Sequence, residues 1–410
     1  MIVLPLWRNR DFVLYETGQL LSAVGSHSSS IAYPLLVLAV SHSPAQAGLV
    51  GFARLMPFAL FGLLAGIAAD RWSRRRLMVA ADAVRAVAMA SLGIGLVLGH
   101  AALSAILLVA FVEGTASAFF GTAQAGALRA VVPPRQLPTA VGAQEARRST
   151  VRLAGPPIGG ALFGLGRAVP FLVDAASYAC STVALLLMRT PFQEPREPDR
   201  TSLRAQIGEG FRFLWSQPFV RTTTFLYGLG NFLMPGVLLV LVVVGRRQGL
   251  SGGEIGLLVA LLGAATLVGS LASPLSRRAF RIRTILLLEL WTWLGTWVFV
   301  AWPSVYALLA VIVPFGLAAP VTDSVVVGYR IAMTPDRLLG RVESVRSNIS
   351  LLIAPLGPLV AGLLLSAFSP RTTVGAFAAA GLVLALWGTL SPSIRQAPSL
   401  DELGAPAPAR

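Results

Sequence analysis

Apolar residues run through this chain in long blocks separated by short polar joints. The blocks lack the strict alternation of half-buried strands and are too long for the core helices of a soluble domain. About twelve are long enough to span a bilayer, at roughly 12–39, 46–69, 78–98, 102–126, 139–164, 168–189, 220–244, 253–275, 283–301, 304–328, 342–367 and 372–392. Some joints are as short as "SHSPAQ" (41–46) and "GLGR" (164–167). Hydrocarbon offers the backbone no hydrogen bonds, so each block must satisfy its own. The pattern therefore predicts an all-α membrane protein of about twelve transmembrane helices.

The one long hydrophilic stretch, 189–219, divides the blocks six and six. Its first part is rich in proline and charge and reads as a linker. "SLRAQIGEGFRFLW" (202–215) then has the amphipathic spacing of a helix lying on a membrane surface. The expected organisation is an N-terminal six-helix half (1–188), this linker (189–219), a C-terminal six-helix half (220–395) and a tail (396–410). The halves repeat. Gly66, Asp70 and Arg74 correspond to Gly269, Ser273 and Arg277; "RAVVPPRQL" (129–137) corresponds to "RIAMTPDRL" (330–338); "GPPIGG" (155–160) corresponds to "GPLVAG" (357–362). Three correspondences in the same order predict two pseudo-symmetric bundles.

Composition agrees. Charged residues make up 12% of the 410 and hydrophobic ones 55%, whereas a soluble domain carries about 25% charged residues. All 33 basic residues are arginine, and the formal net charge is +15. With both termini placed inside, twenty-three arginines fall in inside loops and tails. Four fall outside (Arg167, Arg246, Arg247 and Arg371) and six lie within spans. That asymmetry accounts for the net charge through the positive-inside rule, without a nucleic-acid partner. The single cysteine, Cys180, excludes a disulfide framework. The first apolar block is too long for the core of a cleavable signal.

The joint between the second and third blocks reads "GIAADRWSRR", from Gly66 through Asp70 and Arg71 to Arg74 and Arg75. It resembles the helix 2–3 signature of the major facilitator superfamily, G-x-L-a-D-R-x-G-R-[RK], with Ser73 where that signature has glycine. "GPPIGG" (Gly155, Pro156, Pro157, Ile158, Gly159, Gly160) resembles the end of the family's helix 5 antiporter signature. "VPPRQLPTAVGAQ", "MTPDRLLGRV" and "PFLVDAASY" are similar to loops of its bacterial drug- and siderophore-exporter branch. The resemblance covers nearly the whole chain. It implies a monomeric secondary transporter with a central cavity lined by helices 1, 4, 7 and 10. It also implies that Asp70, with nearby arginines, latches one conformation by meeting a helix N-terminus in the other half. Asp82 and Arg85 are close enough in depth to join that latch. A plain positive-inside anchor is the other reading.

Ionisable groups within spans are costly and mark function. Counting residues from the span ends places His27, Glu113 and Arg152 near the midplane. Arg54 and Asp174 fall in the outer third, and Glu16, Glu289 and Asp323 in the inner third. The first span is polar around His27 (Gln19, Ser22, Ser26, Ser28, Ser29, Ser30, Tyr33), which fits either a cavity wall or hydrogen bonding between helices. Glu113 and Arg152 lie on consecutive spans with opposite sign. They could exchange a proton against substrate or form a fixed ion pair. "GPPIGG" could serve as a hinge, a seal or a static packing motif. Cys180 lacks an evident histidine partner, and His27, His42 and His100 are scattered, so no nucleophile–base pair, metal cluster or phosphate-cradling loop is readable. The chain is expected to need no cofactor and not to be an enzyme or receptor. Its partners are expected to be a small molecule, protons and the lipid bilayer. The function expected is proton-coupled export of a small amphipathic compound across the plasma or inner membrane. Import or facilitated diffusion of a small solute, anionic ones included, is the alternative.

The arginine asymmetry makes a testable prediction. Single cysteines at Ser43, Arg200 and Ser399, in a Cys180→Ala background, are probed with an impermeant thiol reagent on intact cells. Only Ser43→Cys should label; labelling of Arg200→Cys would reverse the topology.

Overall fold

In a computed structural model, residues 6–100, 102–190, 192 and 203–397 are described. The proline-rich part of the linker (193–202) and the tail from 398 onwards lie outside the described residues. The described residues are helical apart from short turns and joints. The first six long helices are α1 (Arg10–Ser41), α2 (Pro44–Arg71), α3 (Arg74–Val97), α4 (Leu103–Val131), α5 (Leu137–Leu165) and α6 (Val169–Leu187). α7 (Leu203–Ser216) coincides with the predicted amphipathic segment. Beyond it come α8 (Pro218–Arg247), α9 (Gly252–Ala279), α10 (Ile282–Trp291), α11 (Thr296–Ala301), α12 (Leu309–Met333), α13 (Asp336–Ile353), α14 (Leu356–Ala367) and α15 (Pro370–Leu390).

Eleven helical stretches among the described residues are long and apolar enough to cross a membrane. α5 is as long but carries Glu145, Arg147, Arg148 and Arg152. Two predicted spans prove interrupted. Residues 283–301 form α10, a 3₁₀ turn at Thr292–Gly295 and then α11. Gly295 lies directly against the Ala310 carbonyl, an approach that a side chain would block. Residues 342–367 belong to α13, which starts earlier, at Asp336, and to α14. The break precedes Pro355, which disfavours helical geometry in the residue before it.

The tight joints have local causes. Asn9 caps α1, its side chain accepting from the Asp11 and Phe12 amides. At the far end of α1, His42 takes a left-handed conformation (φ 56°). Ser43 then caps α2, and Pro44 occupies its first turn. Asparagine, serine and a first-turn proline are favoured starts of helices, and a left-handed residue commonly ends one.

The chain divides into two compact units. The first comprises residues 1–199, 245–260 and 358–366; the second comprises 200–244, 261–357 and 367–410. In the first, α2 packs on α4, α1 on α5 and α6, and α3 on α4 and α6. One apolar cluster, including Phe12, Tyr15, Met78, Phe120, Leu128, Leu185 and Met188, binds these helices at one end. In the second, α7 lies on α13, burying Leu214 with Val220, Leu338, Val342 and Val345.

"GPPIGG" is where α5 meets two neighbours. Gly155 lies against the His27 Cβ and Gly159 against the Ser28 backbone of α1. Gly160 lies against Gly252, and the Pro156 carbonyl against Gly256, at the start of α9. A Cβ at Gly159 would overlap the Ser28 carbonyl, whereas one at Gly164 on the same helix meets nothing within 4 Å. Gly159→Ala should therefore lower the thermal midpoint, with an overpacking cost of roughly 1–3 kcal/mol. Gly164→Ala should be neutral or raise it, since alanine is the better helix former. Equal midpoints for the two variants in a thermal melt of the purified protein would contradict the close packing.

Candidate functional site

The interior of the first unit holds a cluster of buried charge. Arg54 of α2 donates from Nε to Glu113 Oε2 of α4 at 2.7 Å. Glu113 Oε1 accepts from Ser117 Oγ at 3.1 Å and from Tyr178 Oη of α6 at 3.2 Å. Tyr178 Oη is also 2.8 Å from Ser26 Oγ of α1, and Arg54 Nη2 reaches the Ser26 carbonyl at 3.4 Å. Arg54 lies over the Tyr33 ring. Asp82 and Arg85 of α3 pair with each other, and Arg85 Nη1 reaches Ser117 Oγ at 3.5 Å. Arg85 is sandwiched by the Phe120 and Tyr178 rings, 4.3 and 4.4 Å from their centroids. Asp174, one turn before Tyr178, is wholly buried; its Oδ1 accepts from Ser177 Oγ at 3.2 Å, and its Oδ2 has no hydrogen-bond partner.

This arrangement corrects two expectations. Glu113 is paired with Arg54, while Arg152 sits exposed on α5. The reason is packing: α4 lies on α2, with Gly114 directly against the Arg54 carbonyl. Asp82 and Arg85 belong to this buried cluster and not to the loop at Asp70. Access is unequal within the ion pair. The Arg54 side chain keeps 20% of its surface accessible and Glu113 only 3%.

The polar residues of α1 bond its neighbours at successive levels. Asp11 Oδ2 accepts from the Arg189 and Thr190 amides at 3.0 and 2.7 Å, just past the end of α6. Glu16 pairs with Arg147 of α5 at 3.0 Å. Gln19 accepts from Gln124 of α4 at 2.7 Å and donates to Ser181 of α6 at 3.3 Å. Ser28 donates to the Gly155 carbonyl at 3.2 Å. His27 is half-buried against Gly155.

At the helix 2–3 joint, Asp70 is exposed and 3.9 Å from Arg74. The Arg74 guanidinium lies on Gly126 of α4, which has no side chain to displace it. Arg75 donates to the Leu185 and Leu186 carbonyls at 2.9 and 2.7 Å, capping the end of α6 where the helix dipole favours a cation. Arg71 is exposed, and Gly66 has open space around it.

In the second unit, Asp323 and Glu289 line one cavity of about 480 Å³. Tyr178 and Ser117 are the cluster members the sequence reading passed over, and Arg54 was placed by depth in the outer third without a partner. The available signal was Arg54 itself, a lone charge in the apolar run "GFARLMPFAL", which had to find a partner in the bundle. Among the described residues no group of histidine, cysteine and carboxylate side chains could hold a metal ion.

Residues 17–290 match the model of the Major Facilitator Superfamily. A relative, the multidrug efflux pump Tap of Mycolicibacterium fortuitum, is 27% identical over 397 residues, covering 92% of this chain and 94% of its own. The enterobactin exporter EntS of Shigella boydii is 26% identical over 379 residues, covering 91% and 89%. Among solved structures, a bacterial homologue of the iron transporter ferroportin in its inward-facing state has a TM-score of 0.75 at 15% identity, covering 94% of this chain and 98% of its own. A bacterial homologue of the lysosomal transporter Spinster scores 0.74 at 17% identity, covering 95% and 97%. The last two share the fold alone. With a family match across most of its length and transporters as full-length relatives, this multi-pass membrane protein belongs to the major facilitator superfamily and is a transporter, not an enzyme.

Proposed function

We propose that the chain exports a small amphipathic molecule, of the drug or siderophore kind, by exchange with protons through alternating access. The relatives' roles in drug and enterobactin export support the direction and the substrate kind. One observation carries the coupling. The buried cluster of the first unit contains three carboxylates, Asp82, Glu113 and Asp174, against two guanidiniums, Arg54 and Arg85. One negative charge is left over, and burying an uncompensated charge is costly. A proton is the smallest ion that removes it.

In this reading Glu113 is the exchanging acid and Arg54 its switchable counter-charge. Arg54 is the more accessible of the two. A substrate or a helix movement that draws the guanidinium away leaves Glu113 to take a proton instead. Return of Arg54 expels that proton. Protonation and substrate binding then alter each other's affinity by the same factor. Asp70 and the arginines at 71, 74 and 75 serve as the conformational latch at the cytoplasmic face, and the arginine asymmetry supports cytoplasmic termini in the plasma or inner membrane. The protein acts as a monomer.

The test is transport in inside-out vesicles with an imposed pH gradient, screened against a panel of drugs and siderophores. The wild type should accumulate at least one compound. Glu113→Gln should abolish that accumulation while downhill exchange persists. Normal gradient-driven accumulation by Glu113→Gln, with loss in Asp174→Asn, would move the proton to Asp174.

A further inference from the structure

The joint between α9 and α10 reads "SRRAFRIRT" (276–284) and brings Arg277, Arg278, Arg281 and Arg283 together. The nearest carboxylates along the chain are Glu254 and Glu289. All four arginines are exposed, and among the described residues none of them has an ion pair or a side-chain hydrogen bond. The matching joint of the first unit differs. There Arg74 lies near Asp70 and against Gly126, and Arg75 caps α6. In the second unit Ser273 stands where the repeat has Asp70. The acid is gone, and the arginines remain without an acid to meet.

An open groove of about 470 Å³ runs from this joint along α10. Arg281 and Arg283 line it at the start of the helix, followed by Thr284, Leu287, Leu288 and Trp291. The last four have the three- and four-residue spacing that puts side chains on one helix face. Leu288 keeps 49% of its surface exposed, so protein does not cover that face. Trp291 is held in place by its indole N–H, which donates to Thr389 Oγ1 of α15 at 3.2 Å. From Arg283 to Trp291 the helix rises roughly 12 Å, most of the roughly 15 Å depth of one hydrocarbon leaflet. Two other open grooves, of about 450 and 370 Å³, lie on α3 and α4, and no charged side chain lines either.

We infer that this groove is a binding site for one anionic phospholipid of the leaflet that the joint borders. The phosphate takes hydrogen bonds from the Arg281 and Arg283 guanidiniums, and an acyl chain lies along Leu287 and Leu288 as far as Trp291. The groove fits a ligand that is anionic at one end and apolar over about one leaflet's depth, and a phospholipid is both. A soluble anion would leave the leucines uncovered, and a zwitterionic lipid brings a cation of its own to the arginines. Hydrogen bonds from guanidinium to phosphate are charge-assisted and among the stronger polar contacts. Basic clusters beside a membrane span are attracted to anionic lipid. The inference concerns the bilayer and not the transported compound, so its failure would leave the export reading standing.

The full-length protein in mild detergent is titrated with dioleoylphosphatidylglycerol and dioleoylphosphatidylcholine. Native mass spectrometry reads bound lipid and oligomeric state together. The wild type should hold phosphatidylglycerol about tenfold or more tightly than phosphatidylcholine, since each arginine near a membrane surface adds several-fold to the attraction for anionic lipid. The double variant Arg281→Gln, Arg283→Gln should lose that preference. The double variant Arg277→Gln, Arg278→Gln removes the same charge from the same joint but outside the groove, and should keep most of it. Leu288→Trp fills the apolar part and should weaken phosphatidylglycerol with all four arginines in place. If an arginine pair does not fold, Leu288→Trp decides alone. Equal losses in the two arginine pairs would reduce the effect to unspecific charge and overturn the site. So would a wild type without preference, unchanged binding in Leu288→Trp, or a wild-type dimer that the 281/283 variant abolishes.

Discussion

A charge inside a bilayer protein must meet an opposite charge or give up its own, and the first unit is arranged around that constraint. Arg54 and Glu113 meet across α2 and α4 at 2.7 Å. Their remaining hydrogen bonds recruit α1 through Ser26 and α6 through Tyr178. Arg85 extends the cluster into α3 by stacking on the same Tyr178 ring. Five helices are thus held to one polar centre. Removing one partner of such a pair strands the other, which is more damaging than deleting both.

The centre forms only because the helices approach closely. Gly114 lets α4 reach the backbone of α2 beside Arg54, and Gly155 and Gly159 let α5 reach α1 beside His27 and Ser28. Small residues set the approach where lipid supplies no hydrophobic drive between helices. The second unit also holds acidic groups inside it: Glu289 is buried, and Glu343 binds both Arg330 and Arg346. Buried carboxylate oxygens without a hydrogen-bond partner occur in both units, on Glu16, Asp82 and Asp174 in the first and on Glu289 in the second.

Helix number, the short joints and the amphipathic α7 were legible in the sequence. The bilayer imposes a rule that can be read along one dimension: a span is a long apolar run, and its ends carry arginine. "GIAADRWSRR" and "GPPIGG" were legible as motifs for the same reason, being contiguous. The partner of Glu113 was not. Depth can be counted from a span end, but the rotation of a helix and the identity of its neighbour cannot. Adjacency in sequence pointed to Arg152 on α5, whereas α4 packs on α2 and α3. The interruptions at Thr292–Gly295 and before Pro355 were hidden because a break inside an apolar run leaves its hydropathy unchanged. Asp82 and Arg85 were assigned to the latch by depth, whereas Arg85 stacks on Phe120 and Tyr178, which come from two other helices.

The central claim is that Arg54 and Glu113 act as one unit in holding this half of the protein together. A double-mutant cycle on thermal and denaturant stability tests it, using Arg54→Gln, Glu113→Gln and the double variant. Each single change leaves an unpaired buried charge. The account predicts that the double variant is destabilised less than the sum of the singles, with a coupling of about 1–3 kcal/mol. Additive losses, with no coupling beyond about 0.3 kcal/mol, would contradict it.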